Sequence, residues 1–313
     1  MAGSHHADLE DEGFHEEPCE TRSADSTIWQ PLLRYGRRYH RYHAGKYMLP
    51  EDEEEQDRLD LQHEIFLRTF DQALSLAPLP SQVFHVLDLG TGTGLWAMGF
   101  ADAHSEAEVR CVDLSPIQPV WVPPNCHFDI DDFEDPWIAS KYDYVHGRML
   151  LGSIQDLSEL VNQAYQHLLP GGWIEFQDGG PIISQADTLK DTHLQRWMDL
   201  MTEAAARRDR HLDVVWRYEE ALRAAGFHNV TQKQFLWPIN TWPKDKHYKE
   251  LGYLVRENML QGLHGFSAHL LQGELQLSSE EMEAFLADVR KDISNRKIHA
   301  YMPIIVVYGQ KPF

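Results

Sequence analysis

Val86-Leu87-Asp88-Leu89-Gly90-Thr91-Gly92-Thr93-Gly94-Leu95-Trp96-Ala97 is the stretch from which the fold is read. The apolar run from Val83 to Leu89 has the character of a strand buried on both faces of a parallel sheet. Three alternating glycines make a tight turn, and Leu95 to Ala101 begins a helix. Strand, glycine turn and helix together cradle a nucleotide-containing ligand, because a backbone without side chains lets the ligand come close.

Glycine turns of this kind serve several ligand classes. Gly92 to Ala97 satisfies the G-x-G-x-x-[GA] dinucleotide fingerprint, so a nicotinamide-dependent oxidoreductase is one reading. Asp88 favours another. A carboxylate two residues before the first glycine orients the turn and faces a cation, and S-adenosylmethionine offers a sulfonium and an amino group. Beside a pyrophosphate the same carboxylate would be misplaced. Asp113 ends the next apolar strand, Val109 to Asp113, where an acid accepts hydrogen bonds from ribose hydroxyls in either ligand class.

The chain has 313 residues, 42% of them hydrophobic, enough for one large or two small domains with a sizeable core. A net charge of -21 argues against direct nucleic-acid binding, since a phosphate backbone would be repelled. No apolar run is long enough to span a membrane, and no secretory signal pattern is present. Cys19, Cys111 and Cys126 lack metal-ligand spacing and read as free thiols in a reducing compartment. The histidines show no ligand spacing with carboxylates, so no metal is expected.

Residues 1–27 are acidic and polar and read as a disordered tail. Residues 28–82 read as an N-terminal arm and helix covering the ligand site. In the arm, tyrosines alternate with arginines between Tyr35 and Tyr47, and Tyr39 and Tyr42 are expected to cover the ligand mouth. Glu51 to Asp57 opens a helix, its acids favoured by the positive end of the helix dipole. Residues 83–313 hold the main domain. Strands are expected at 126–130, 142–147, 173–177, 229–236 and 301–309, and helices at 153–168, 192–207 and 214–225. A helical insertion spans about 243–298. Asp131-Asp132-Phe133 ends a strand beside the crevice and suits an adenine: an acid accepts the exocyclic amine and the ring packs on the base. Arg148 reaches the crevice from the end of its strand.

In their order these motifs resemble a class I S-adenosylmethionine-dependent methyltransferase: Asp88-Leu89-Gly90-Thr91-Gly92-Thr93-Gly94, Asp113, Asp131-Asp132, and Leu169-Pro170-Gly171-Gly172 before a strand. More narrowly, the chain resembles the fungal LaeA-like methyltransferases. The resemblance runs over Tyr35 to Tyr47, Arg58-Leu59-Asp60-Leu61-Gln62-His63, Asp113 to Pro119, Gly152-Ser153-Ile154, Glu175-Phe176-Gln177-Asp178, and Arg290 through Gly309, or about residues 33–312. It implies an α/β, Rossmann-like fold: a seven-stranded, mostly parallel sheet with helices on both faces and its last strand antiparallel. It also implies S-adenosylmethionine as cofactor, held by Asp88, Gly90, Thr91, Gly92, Gly94, Asp113, Leu114, Asp131, Asp132, Phe133 and Arg148. The acceptor is a protein or a small molecule. Family members regulate secondary metabolism and development, some with velvet-type partner proteins, or tailor small metabolites. No catalytic base is implied. His146, Glu175 and Asp178 are the crevice residues able to take a proton, and a non-catalytic scaffold that keeps the cofactor fold is the alternative of another class.

Overall fold

The computed structural model describes residues 27–138, 140–184 and 187–313. Of the acidic tail, only Thr27 falls within the described residues.

The arm contains a hairpin that the sequence reading left out. Strands β1 (Leu32–Arg34) and β2 (Arg37–Tyr39) pair across Tyr35 and Gly36. Both turn residues have positive φ, 51° and 74°, the geometry that matches the twist of two paired strands. Helix α1 (Glu53–Thr69) follows, its N-terminus capped by Asp52. Asp52 also accepts a hydrogen bond of 2.7 Å from Arg37, tying the hairpin to the helix start.

The main domain then runs β3 (His85–Leu89), α2 (Leu95–Ala103), β4 (Glu108–Asp113), β5 (Cys126–Ile130), β6 (Tyr142–Arg148), α3 (Leu157–His167), β7 (Leu168–Gly179), β8 (Ile183–Ser184), α4 (His193–Ala206), α5 (Tyr218–Ala224), β9 (His228–Pro238), α6 (Lys246–Ser267), α7 (Ser279–Ser294) and β10 (Ala300–Gln310). Strands β5, β4, β3, β6 and β7 lie side by side in parallel. β10 runs antiparallel beside β7, and β9 antiparallel beside β10. These are the seven strands expected; the two-residue β8, paired with the start of β10, adds an eighth.

Alternate residues of the strands enter two cores. Val86, Val109, Tyr144 and Val306 face α1, α2, α4, α6 and α7. Leu87, Val112, Val145 and Val307 face α3 and α5. Both sheet faces are therefore covered, which is why the strands read as nearly continuous apolar runs. Asp88 and His146 interrupt two of those runs on the first face, opposite each other in the β3–β6 register. The chain steps outward from β3 through β4 to β5, then crosses back to β6 on the other side of β3, and this reversal opens a crevice at the strands' C-terminal ends.

Helix α3 starts four residues later than its apolar spacing predicts. Asp156 caps it, accepting from the Glu159 N–H at 3.0 Å, while the preceding turn is pinned elsewhere. The insertion is helical as expected. α6 passes directly into a π-helical turn over Ala268–Glu274, and Ser278 and Glu281 form a reciprocal capping box at α7. In α6, a side chain at Gly262 would strike Arg58 Cδ at 2.6 Å, so the missing side chain is what lets this helix lie close on α1.

Candidate active site

A cavity of about 290 Å³ sits at the C-terminal ends of β3, β4 and β6. Lys46 to Pro50 of the arm, α1, α4 and α6 close over it. Gly90, Thr91, Gly92, Asp113, Leu114 and Phe133 line one half, as the sequence predicts. The glycines have φ of 64°, 59° and 81° at positions 90, 92 and 94, a region that side chains disfavour. Open space for a ligand is the reason for glycine only in part. A side chain at Gly90 would meet Leu150 at 2.8 Å, and one at Gly94 the Phe128 ring at 2.6 Å. Gly94 does not line the cavity; it fixes the start of α2 against β5.

Asp113 holds the bend from below. Its Oδ2 accepts the Gly92 N–H at 2.8 Å, and its Oδ1 accepts the Ser115 N–H at 2.9 Å. Burial pushes its pKa up to about 6, against the pull of those N–H groups. The carboxylate keeps lone pairs for a ribose hydroxyl.

Asp88 is 2% exposed, and its Oδ1 accepts a hydrogen bond of 2.7 Å from His146 Nδ1. A carboxylate only accepts, so the Nδ1 of His146 carries hydrogen, and in the neutral tautomer that this bond selects Nε2 holds the free lone pair. The His146 ring lies flat on Trp96, 3.6 Å between centroids. Two buried atoms of this pair, Asp88 Oδ2 and His146 Nε2, have no hydrogen-bond partner among the described residues. Buried polar atoms are rarely left so, and here both belong to cavity-lining residues. An acceptor-only oxygen at the head of the glycine bend fits the ammonium or sulfonium end of S-adenosylmethionine.

The other two base candidates are displaced from the chemistry. Glu175 is fully buried outside the cavity, accepting from the N–H groups of Leu76 and Ala77 and from the Tyr144 hydroxyl. Asp178 likewise accepts from the N–H groups of Leu150, Leu151 and Gly179 and from Tyr218 at 2.7 Å. Burial pushes it up to about 7. Its work is to pin the Met149–Leu151 turn under the cavity. Both carboxylates come from β7, where apolar neighbours disguise buried hydrogen-bond acceptors as crevice acids.

The adenine and arm assignments also change. Asp131 is exposed and off the cavity. Asp132 lines it, but its carboxylate is taken by Lys46, by His43 at 2.9 Å and by the Glu134 N–H. Burial opposes its charge, yet these donors win and hold it below the usual carboxylate range. His43, Asp132 and Asp135 bring their ligand atoms within 4.8 Å of one another, a grouping in which the Lys46 ammonium already supplies the cation. Tyr39 packs on Tyr35 and His269, and Tyr42 stacks on His43; neither lines the cavity. Tyr47 and Met48 do. The hairpin turns the earlier tyrosines away, and no local pattern in the arm announces that.

The second half of the cavity has no signature in the linear sequence. Six of the nine methionines line it: Met48, Met149, Met198, Met201, Met259 and Met302. They come from the arm, the β6 turn, α4, α6 and β10, and only the fold assembles them. Leu59, Gln62 and His63 of α1 join them.

A parallel sheet with a reversed last strand, a carboxylate-headed glycine bend and an acid at the end of the next strand define a class I methyltransferase, with S-adenosylmethionine as the methyl donor. Residues 60–232 match the family model described as a methyltransferase domain. The chain is 39% identical over 295 residues to the methyltransferase pytC of Aspergillus terreus, covering 93% of this chain and 91% of that one. It is 36% identical over 290 residues to the secondary metabolism regulator LAE1 of Cochliobolus heterostrophus, covering 90% and 94%. Against the protein-methionine methyltransferase laeA of Emericella nidulans it is 33% identical over 284 residues, covering 88% and 75%. The chain belongs to the methyltransferase-domain family and, within it, to the LaeA-like methyltransferases of fungal secondary metabolism.

Proposed function

We propose that this chain transfers the methyl group of S-adenosylmethionine to a small, largely apolar acceptor in fungal secondary metabolism. The observation that carries the reading is the shared cavity: Asp88, which holds an unpartnered buried oxygen, lines the same space as the methionine wall. Methionine side chains are flexible and polarizable, so such a wall adapts to an irregular apolar guest.

When bound, S-adenosylmethionine supplies an electrophilic methyl carbon on a sulfonium that leaves without needing an acid. Asp88, Gly90, Thr91, Gly92, Asp113, Leu114 and Phe133 are the residues that would hold it. Asp113 orients the ribose, and Asp88 offsets the positive charge. The arm and α6 exclude water, and holding two reactants in line is worth ~7 kcal/mol or more. Of the three base candidates, His146 is the one whose free lone pair belongs to a cavity-lining residue, and Asp88 fixes its tautomer. It takes a proton only from an acceptor that enters protonated.

A regulatory role is a second reading, favoured by the names of LAE1 and laeA. It would set the chain in the nucleus and cytoplasm beside velvet-type partners. Incubating fungal extract with the protein and methyl-labelled S-adenosylmethionine separates the two. Label in organic-extractable small molecules is expected; label confined to protein contradicts the small-acceptor reading. If Asp88→Asn abolishes cofactor binding while the biological effect survives, the chain works as a scaffold instead.

A further inference from the structure

Three basic side chains of lysine and arginine line the cavity, and two are already matched. Lys46 is paired with Asp132 and Glu134. Arg58 donates twice to Glu55 and once to Asn258. Arg148 differs. Its guanidinium lies 4.9 Å over the Phe66 ring, and its Nη2 donates to His63 Nδ1 at 2.9 Å. No carboxylate among the described residues lies within ion-pair distance of it; Asp88 acts on it only from further off. An unpaired guanidinium among apolar side chains is costly unless a ligand brings the counter-charge.

His63 completes the arrangement. A guanidinium cannot accept a hydrogen bond, so the His63 Nδ1 facing it must be unprotonated. Burial, together with Arg148 and His146, lowers the ring's pKa to about 3, so the ring is neutral and Nε2 carries the hydrogen. His63 thus orients the guanidinium, and Arg148 keeps N–H groups to spare. A charged, oriented guanidinium with free N–H groups suits an anionic oxygen.

We propose that Arg148, held in place by His63, is the seat for an anionic oxygen of the methyl acceptor, a carboxylate or enolate borne by a molecule whose apolar body lies among the methionines. The assignment rests on the methyltransferase reading, and it moves Arg148 from the cofactor to the acceptor. The same oxygen chemistry is available from the cofactor's own amino-acid carboxylate, so the test must separate the two sources.

Octanoate and octan-1-ol are titrated calorimetrically into the full chain saturated with S-adenosylhomocysteine, which fills the cofactor half. Octanoate is expected to bind about tenfold tighter or more than the alcohol. Arg148→Leu should erase that preference, and Arg148→Lys should keep part of it. Affinity for S-adenosylhomocysteine should stay within about twofold in both, since no contact to it is lost. Equal affinity for acid and alcohol in the unmodified chain overturns the proposal. So does exclusion of octanoate by S-adenosylhomocysteine, with Arg148→Leu weakening the latter about tenfold, because Arg148 then serves the cofactor's carboxylate. Should Arg148→Leu fail to fold, His63→Phe decides: a several-fold loss of octanoate affinity supports the seat, and an unchanged preference overturns it. An unmodified chain that binds no S-adenosylhomocysteine sinks the methyltransferase reading itself, and this assignment with it.

Discussion

Asp113 carries a pH dependence whose sign is fixed by its burial. Its pKa stands at about 6, above the ordinary carboxylate range. A ribose hydroxyl donating to it favours the carboxylate, so the ligand lowers that pKa. Affinity for S-adenosylhomocysteine is therefore full above about pH 6 and falls as the pH drops below it. Titrations between pH 5 and 8 check this, and Asp113→Asn should flatten the profile. Asp178 shows the opposite linkage, in stability. Its folded pKa of about 7 is raised above the unfolded value, so its contribution is complete at low pH and is lost as pH rises through about 7. Thermal unfolding of the unmodified chain should lose several degrees across that window, and Asp178→Asn should lose less. Glu175→Ala leaves the Leu76 and Ala77 N–H groups and the Tyr144 hydroxyl unmatched and should cost about 3 kcal/mol, measured by urea unfolding, whereas Glu175→Gln should keep turnover. At this scale the glycine bend, Asp88 and Asp113 were legible because each occupies a fixed offset from a strand end. Glu175 and Asp178 were misplaced because one-dimensional order does not tell a carboxylate that faces a crevice from one that ties down a loop.

Among the elements, the arm is the piece whose behaviour the structure changes most. Its tyrosines promised a lid of rings, and the positive φ of Tyr35 and Gly36 folds them into a hairpin instead. What holds the arm down is electrostatic: Lys46 and His43 on Asp132, and Arg208 donating to the Gly45 carbonyl at 2.6 Å. Because Lys46 to Pro50 roof the cavity, release of bound ligand requires this latch to open. Lys46→Ala should raise the dissociation rate of S-adenosylhomocysteine about tenfold, read by stopped-flow fluorescence, and should speed amide exchange over residues 37–50. An unchanged rate would mean that ligand leaves by another route. Apart from β7, which begins five residues before the expected Trp173, the strands of the main sheet foreseen from the sequence were legible to within a residue or two, since strands buried on both faces announce themselves. The π-helical turn at 268–274 was not, because its apolar spacing reads as ordinary helix.

For the whole molecule, one continuous core joins α1 and the arm residue Met48 to α4, α6, α7 and the sheet. The half of the cavity around the glycine bend comes from consecutive strand ends and is visible in sequence order. The methionine-lined half comes from elements over two hundred residues apart, from Met48 to Met302, and no local pattern could assemble it. Ligand binding should be felt throughout such a core: at 100 times its dissociation constant, S-adenosylhomocysteine should stabilise the fold by about 2.7 kcal/mol and raise the melting temperature by several degrees. The central claim is that the Asp88-headed glycine bend grips the methyl donor. Calorimetric titration of S-adenosylhomocysteine into the unmodified chain and into Asp88→Asn tests it directly. One-to-one binding on the order of micromolar is expected for the first, and affinity about 10- to 100-fold weaker for the second, as befits a lost charge-assisted hydrogen bond. Equal affinity in the two proteins, or no binding by the folded unmodified chain, would contradict it.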